Sequence, residues 1–180
     1  MEEKFGHDDI RLEKITDDKI EEYLNCKKHA SIFSNGYEKF DALWEYMKAV
    51  ILESVYDENK RMLVYNQLDE CIGYIESEKD SRGICGISVG ILPEYRNKNA
   101  ATIASKKFVE YLFSETNITS IIWYAHKLNV ASCRVAEKIG GKYIGQGDLL
   151  KSTMEQDGYS TENIEQMDML EEVAYLLERK

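Results

Sequence analysis

The stretch Pro93–Phe108, PEYRNKNAATIASKKF, gathers Arg96, Lys98, Lys106 and Lys107 around a turn that runs into a helix beginning near Asn99. The first four amides of such a helix lack intrahelical partners and lie at the positive end of its dipole, a favourable position for phosphate oxygens. Each charge–dipole contact contributes only about 0.3–1 kcal/mol when exposed, so a site needs several amides converging on one group. Small Ala100 and Ala101 leave that approach unobstructed. An amphipathic helix with Ala101, Ala104, Phe108 and Leu112 facing a core accounts for the same residues, so the segment alone assigns no function.

Two flanking segments bear on it. Along Ile84–Pro93 the residues Cys85, Ile87, Val89 and Ile91 fall on one face, and Gly86, Ser88 and Gly90 on the other. A nearly bare strand face admits either a ligand or a closely packed helix. Further on, LNVASCRVAEKIGG places Asn129 to cap a helix, Ser132 three residues later, and Arg134 and Lys138 one turn apart, before Gly140-Gly141 supplies a left-handed stop.

Composition narrows the ligand class. The 180-residue chain carries a formal net charge of -10, which argues against general affinity for nucleic acid or anionic lipid. From Leu92 to Lys142, however, eight Lys/Arg face four Asp/Glu, so that region stands at +4 and the remainder at -14. A small anion fits this distribution better than a polyanion. Cys26, Cys71, Cys85 and Cys133 form no CxxC spacing, and with three scattered histidines they make no zinc pattern; free thiols and no metal are expected. The charged start, MEEKFGHDDIRLEK, and the lack of an apolar run near 20 residues predict a cytoplasmic protein without membrane attachment.

The elements that must position these residues read as one domain over 1–180, since no repeat or Pro/Gly-rich linker divides the chain. Ile10–Ile15 alternates like a strand, Thr16-Asp17-Asp18 can cap a helix, and a second helix spans about Lys39–Tyr56. Arg61–Leu68 and Cys71–Glu78 flank Asp69-Glu70 as a hairpin, and Asp80-Ser81-Arg82-Gly83 turns into Ile84–Leu92. A helix (about Lys98–Ser114), a strand (Ile118–His126), a helix (about Val130–Ile139) and a strand from Lys142 follow. The order predicts a mixed α/β sheet of α+β character. Ile164, Met167, Leu170, Ala174 and Leu177 have helical spacing, although Ile164–Met169 also reads as a closing strand.

Together the pieces resemble the GNAT superfamily of acyl-CoA-dependent N-acetyltransferases. Its V-x-P-x-Y-R followed by [RQ]-x-x-G-x-[GA] is matched by Ile91-Leu92-Pro93-Glu94-Tyr95-Arg96 and Arg96-Asn97-Lys98-Asn99-Ala100-Ala101. A later N-x-x-S-x-x-x-x-E-K-x-G is matched by Asn129, Ser132, Glu137, Lys138 and Gly140. The resemblance implies a GNAT-like domain whose central, twisted, mostly antiparallel sheet is flanked by helices and splays into a CoA-binding cleft. It also implies an acetyltransferase using acetyl-CoA as co-substrate. Val89, Gly90 and Ile91 would pair with the pantetheine amides, and the amides of Arg96, Asn97, Lys98, Asn99, Ala100, Ala101 and Thr102 would cradle the pyrophosphate. Asn129, with Ser132, would meet the pantetheine arm.

Two positions depart from the family. Asn99 stands where glycine is usual, and Ala136 where many members carry a tyrosine that protonates the leaving thiolate. Acetyl transfer needs a neutral amine, yet an alkylamine with a pKa of about 10.4 is almost wholly protonated at pH 7. Glu76, Glu78, Tyr124 and His126 are the candidate bases, and Ser132, Cys133 and Tyr143 weaker proton donors. The expected acceptor is a small-molecule amine or a peptide N-terminus, and the expected state a monomer or homodimer. A non-catalytic acyl-CoA-binding or regulatory module is the alternative, motivated by Asn99 and Ala136.

Overall fold

A computed structural model describes residues 4–30, 40–54, 61–80, 82–148 and 171–179. The strands are β1 (Ile10–Lys14), β2 (Arg61–Asn66), β3 (Cys71–Lys79), β4 (Cys85–Ile91), β5 (Ser120–His126), β6 (Lys142–Gln146) and β7 (Glu172–Glu178). The helices are α1 (Ile20–Ala30), α2 (Phe40–Ser54), α3 (Ala100–Glu115) and α4 (Val130–Lys138). The strands form one sheet in the order β1-β2-β3-β4-β5-β7-β6, flanked by helices, as the mixed α/β expectation requires. Two compact units divide the residues: 1–77 with 88–111, and 78–87 with 112–180. Among the described residues no helix is long and apolar enough to cross a membrane.

In the first unit, β1 pairs antiparallel with β2 and β2 with β3. Asn66 makes the β2–β3 turn: its Oδ1 accepts from the amides of Leu68 (2.9 Å) and Glu70 (3.0 Å), and Asp69 takes a φ of +58°. The register runs Arg61↔Glu76, Leu63↔Tyr74, Val64↔Gly73 and then jumps to Tyr65↔Cys71, so a bulge interrupts β3 at Ile72. Helix α1 covers the face bearing Leu63, Tyr65 and Tyr74, because Tyr23, Cys26 and Ala30 recur at helical spacing and are buried there. Trp44 of α2 packs on Leu24 of α1, with Ile20 and Ile51 beside them. On α3, Ala104 and Phe108 are fully buried, the large Phe108 side chain contributing about 1.5–3 kcal/mol by removal from water. Lys107, on the same helix, donates to the Ile10 carbonyl at 2.7 Å.

In the second unit, β7 pairs antiparallel with β5 from Ser120↔Glu178 to His126↔Glu172, and with β6 on its other side. Residue Gly86 of β4 pairs in parallel with Ile122 of β5. Helix α4 closes with Gly140 at a φ of +96°, and the Gly141 amide donates to the Ala136 carbonyl at 2.8 Å. A Cβ on Gly141 would fall 2.8 Å from that carbonyl, so both glycines of the stop are required.

The helical spacing at the tail is overturned where it can be checked. Ala174 and Leu177 lie in β7, buried between two antiparallel neighbours, so pairing with β5 and β6 outweighs the local period. Ile164–Met169 lies outside the described residues.

Candidate functional site

The loop into α3 owes its shape to two asparagines. Asn97 and Asn99 adopt φ values of +63° and +72°, left-handed geometry that asparagine tolerates better than other side chains and that glycine tolerates freely. The helix therefore begins at Ala100, two residues later than its periodicity suggests. Its first amide to meet a helical carbonyl is that of Ile103, which donates to Asn99 at 3.2 Å. Among the described residues the amides of Asn97 to Thr102 donate to no backbone carbonyl, and in general successive amides around left-handed residues can form a concavity suited to an anion. Ala100 is buried and Ala101 half-buried.

Arg96 plays a different part from its neighbours. Its amide is committed to the Pro93 carbonyl at 3.2 Å. Its guanidinium donates to the carbonyls of Ile91 (2.9 Å) and Ala30 (3.0 Å), tying the end of β4 to the C-terminus of α1, where a cation complements the helix dipole. The run of amides without a backbone acceptor among the described residues is thus Asn97 to Thr102. It is anchored by Phe5, whose amide donates to the Lys98 carbonyl (2.9 Å), and by Tyr95, whose hydroxyl donates to Glu70 (3.0 Å).

The bare face of β4 is explained in part by packing. A Cβ on Gly90 would lie 2.3 Å from the Tyr74 ring and 3.1 Å from the Ala30 Cβ, so the side of Gly90 is filled by α1 and β3. The Gly90 carbonyl is pressed against Gly73, where a Cβ would stand 2.2 Å away. Gly86 is under no such pressure: its nearest neighbours would be 3.7 and 3.9 Å from an added Cβ. Val89 is half-buried, and the Ile91 carbonyl is already taken by Arg96.

The candidate acid–base residues fall into contrasting environments. Glu76 is buried on β3 and accepts from the Tyr23 hydroxyl (2.7 Å) and the Lys27 ammonium (2.5 Å), with Arg61 Nε at 3.5 Å. Burial first, then the Glu76 charge, pushes the Tyr23 phenol well above its usual range. Lys27 also lies 4.5 Å above the Tyr74 ring. Glu76 is thus a keystone between α1 and the sheet.

In the second unit Tyr124 is half-buried on β5, its hydroxyl 3.4 Å from Arg82 Nη2. Arg82 reaches Asp148 through both terminal nitrogens (2.7 and 3.2 Å) and Asp80 through Nε (2.8 Å). The Arg82 hydrogen bonds hold the Asp148 carboxyl below the usual range against the opposing effect of burial. Burial, then the Asp148 charge, raises the Tyr124 phenol, with Arg82 opposing. A phenol so placed stays protonated at neutral pH and can give a proton more readily than take one.

His126 is exposed at the end of β5, and its Nδ1 accepts from the Leu128 amide (3.1 Å). Glu78 is exposed at the end of β3. Asn129 Oδ1 accepts from the Ser132 amide (3.1 Å), the cap its position promised, and Ser132 Oγ accepts from Trp123 Nε1 (2.9 Å). Ala136 is fully buried, with its carbonyl committed to the α4 stop, so no phenol stands at that position. Tyr143 is exposed on β6, edge-on to Tyr175, and Cys133 Sγ lies 3.9 Å from the His126 carbonyl.

Sequence reading missed Arg82 and Asp148 as partners of Tyr124. They are 66 residues apart, and only the Asp80-x-Arg82 turn carried a local signal. Among the described residues no group of three or more His, Cys, Asp or Glu side chains could hold a metal ion.

Known proteins place this arrangement. A solved GNAT-family acetyltransferase from Bacillus anthracis is similar with a TM-score of 0.66, at 18% identity over 94% of this chain and 95% of its own. The spermidine N-acetyltransferase from Vibrio cholerae in complex with CoA and spermine is similar with a TM-score of 0.60, at 17% identity over 77% of this chain and 84% of its own. A dodecameric structure of spermidine N-acetyltransferase from Vibrio cholerae gives 0.63, at 14% identity over 95% and 94%. No curated protein matches the chain. At these identities the structures speak for the fold, whereas the acetyltransferase (GNAT) domain family matches residues 9–142, most of the sequence. The chain belongs to the GNAT acetyltransferase family.

Proposed function

We propose that this chain transfers an acetyl group from acetyl-CoA to a primary amine by direct attack, without an acetylated enzyme residue. The observation that carries the reading is the run of amides from Asn97 to Thr102, shaped by two left-handed asparagines and left open by Ala101. Such a concavity fits a pyrophosphate, and the local excess of Lys and Arg reinforces it. Bound acetyl-CoA would supply the activated thioester carbonyl. Val89 offers backbone groups for an extended amide-bearing arm, and Asn129, whose Oδ1 is spent on capping, retains its amide nitrogen as a donor.

Tyr124 is the group we assign as proton donor to the departing thiolate, since Ala136 offers none. Glu78 serves the amine as base, directly or through water; Glu76 is too heavily engaged, and a neutral His126 whose Nδ1 accepts from the Leu128 amide carries its proton on Nε2. The acceptor is a small amine, and the strongly acidic remainder of the chain suits a cationic one such as a polyamine. The Vibrio cholerae enzyme, a spermidine N-acetyltransferase solved with CoA and spermine, supports that choice.

Incubation with acetyl-CoA and a panel of mono-, di- and polyamines should release free CoA with at least one of them. Tight CoA binding, seen as a thermal shift, with no turnover on any amine or peptide N-terminus would instead establish the non-catalytic module, the reading that Ala136 favours.

A further inference from the structure

Two thiols distant in sequence meet in the first unit. Cys26 Sγ on α1 and Cys71 Sγ at the start of β3 lie 3.3 Å apart, 45 residues removed from each other along the chain. The encounter depends on the bulge in β3. The residues of β3 that face α1 are Tyr74 and Glu76, so strict alternation would send Cys71 to the opposite face. The extra residue at Ile72 reverses the alternation and pairs Cys71 with Tyr65, on the side α1 covers. Cys26 is buried, whereas Cys71 is only partly so. Cys85 and Cys133 stand on other elements, beside the carbonyls of Gly86 and His126.

The pair is polarised. The hydrogen bond with Cys26 holds the Cys71 thiol below its ordinary range against the effect of burial, while the same bond and burial push Cys26 up. The more accessible sulfur is therefore the readier nucleophile.

We propose that Cys26 and Cys71 form a reversible disulfide when the protein meets a peroxide, clamping α1 to the first residue of β3. The Cys71 thiolate attacks one oxygen of the peroxide, the O–O bond breaks, and the hydroxide released takes up the Cys71 proton as water. The resulting sulfenic acid is then attacked by Cys26: the S–S bond forms, the S–O bond breaks, and hydroxide leaves with the Cys26 proton as a second water. Two electrons pass from the thiols to one peroxide, and a dithiol reductant returns them. The sulfurs need only close from 3.3 Å to about 2.0 Å. Helix α1 carries Tyr23 and Lys27 on Glu76 and Ala30 against Gly90 and Arg96, so the clamp fixes the wall beside the end of β4.

The test is titration of the purified full chain with hydrogen peroxide, followed by alkylation and peptide mapping before and after dithiothreitol. Loss of two of the four thiols, a cross-linked peptide pair containing Cys26 and Cys71, full reversal by dithiothreitol and a Tm rise of roughly 5–10 °C are expected. In Cys26→Ser the same treatment should leave Cys71 as a dimedone-trappable sulfenic acid with no cross-link. Cys71 oxidised to sulfinic acid without pairing, a bridge to Cys85 or Cys133, or a bond between two molecules would each overturn the proposal.

Discussion

In the first unit the charges around Glu76 are paired while, among the described residues, a run of backbone amides meets no backbone carbonyl; in the second the helix start is capped and one side chain stands lightly held. Glu76 accepts from Tyr23 and Lys27 with Arg61 beside them, while among the described residues the amides of Asn97 to Thr102 donate to no backbone carbonyl. In the second unit Asn129 caps α4, whereas the Tyr124 hydroxyl lies at 3.4 Å from Arg82 Nη2. A site made of backbone tolerates Asn in place of Gly, because geometry rather than side-chain identity does the binding. A site made of one phenol tolerates no such exchange. Binding and chemistry should therefore separate cleanly under mutation.

The largest effect is expected where the first unit has committed its charges. Glu76→Ala removes the buried carboxylate shared by Tyr23, Lys27 and Arg61 and should cost about 3–5 kcal/mol of stability in chemical denaturation. A collapse of turnover with stability unchanged would make Glu76 the base instead. Tyr124→Phe removes the proton donor proposed above and should lower kcat about 100-fold, with Tm and the Kd for CoA hardly altered. Equal losses in kcat and CoA affinity would place Tyr124 in binding rather than chemistry. Ala101→Leu should weaken CoA by about 10-fold while leaving the fold intact, since Ala101 is only half-buried and the added bulk blocks the amides. The smallest change is Asn99→Gly. Relief of the +72° φ should preserve or slightly tighten CoA binding and move stability by no more than about 1 kcal/mol, as read by calorimetry.

Much of the frame was legible in the residues. Caps, turn signals and strand alternation located ten of the eleven strands and helices among the described residues approximately, and the order of motifs named the family. Asn99 was legible because few non-glycine residues accept a left-handed turn. β7 was not, because an alternation such as Glu172–Glu178 beside a helically spaced run yields to whichever partner strands the sheet provides. Glu76 was one candidate base among four until α1 was seen to lie over it, and the choice between a ligand and close packing at Gly90 waited on the Tyr74 ring that fills the space. Arg82 with Asp148, and Cys26 with Cys71, are contacts between distant residues; the first depends on the turn before β4 and the second on a one-residue bulge, neither visible as a pattern.

We propose that backbone amides of the loop into α3 hold the phosphates of CoA. A titration of the 15N-labelled chain with CoA, followed through amide resonances, tests this. The largest shifts are expected at the amides from Asn97 to Thr102, sharply reduced in Ala101→Leu. Saturable CoA binding with those amides unmoved would contradict it.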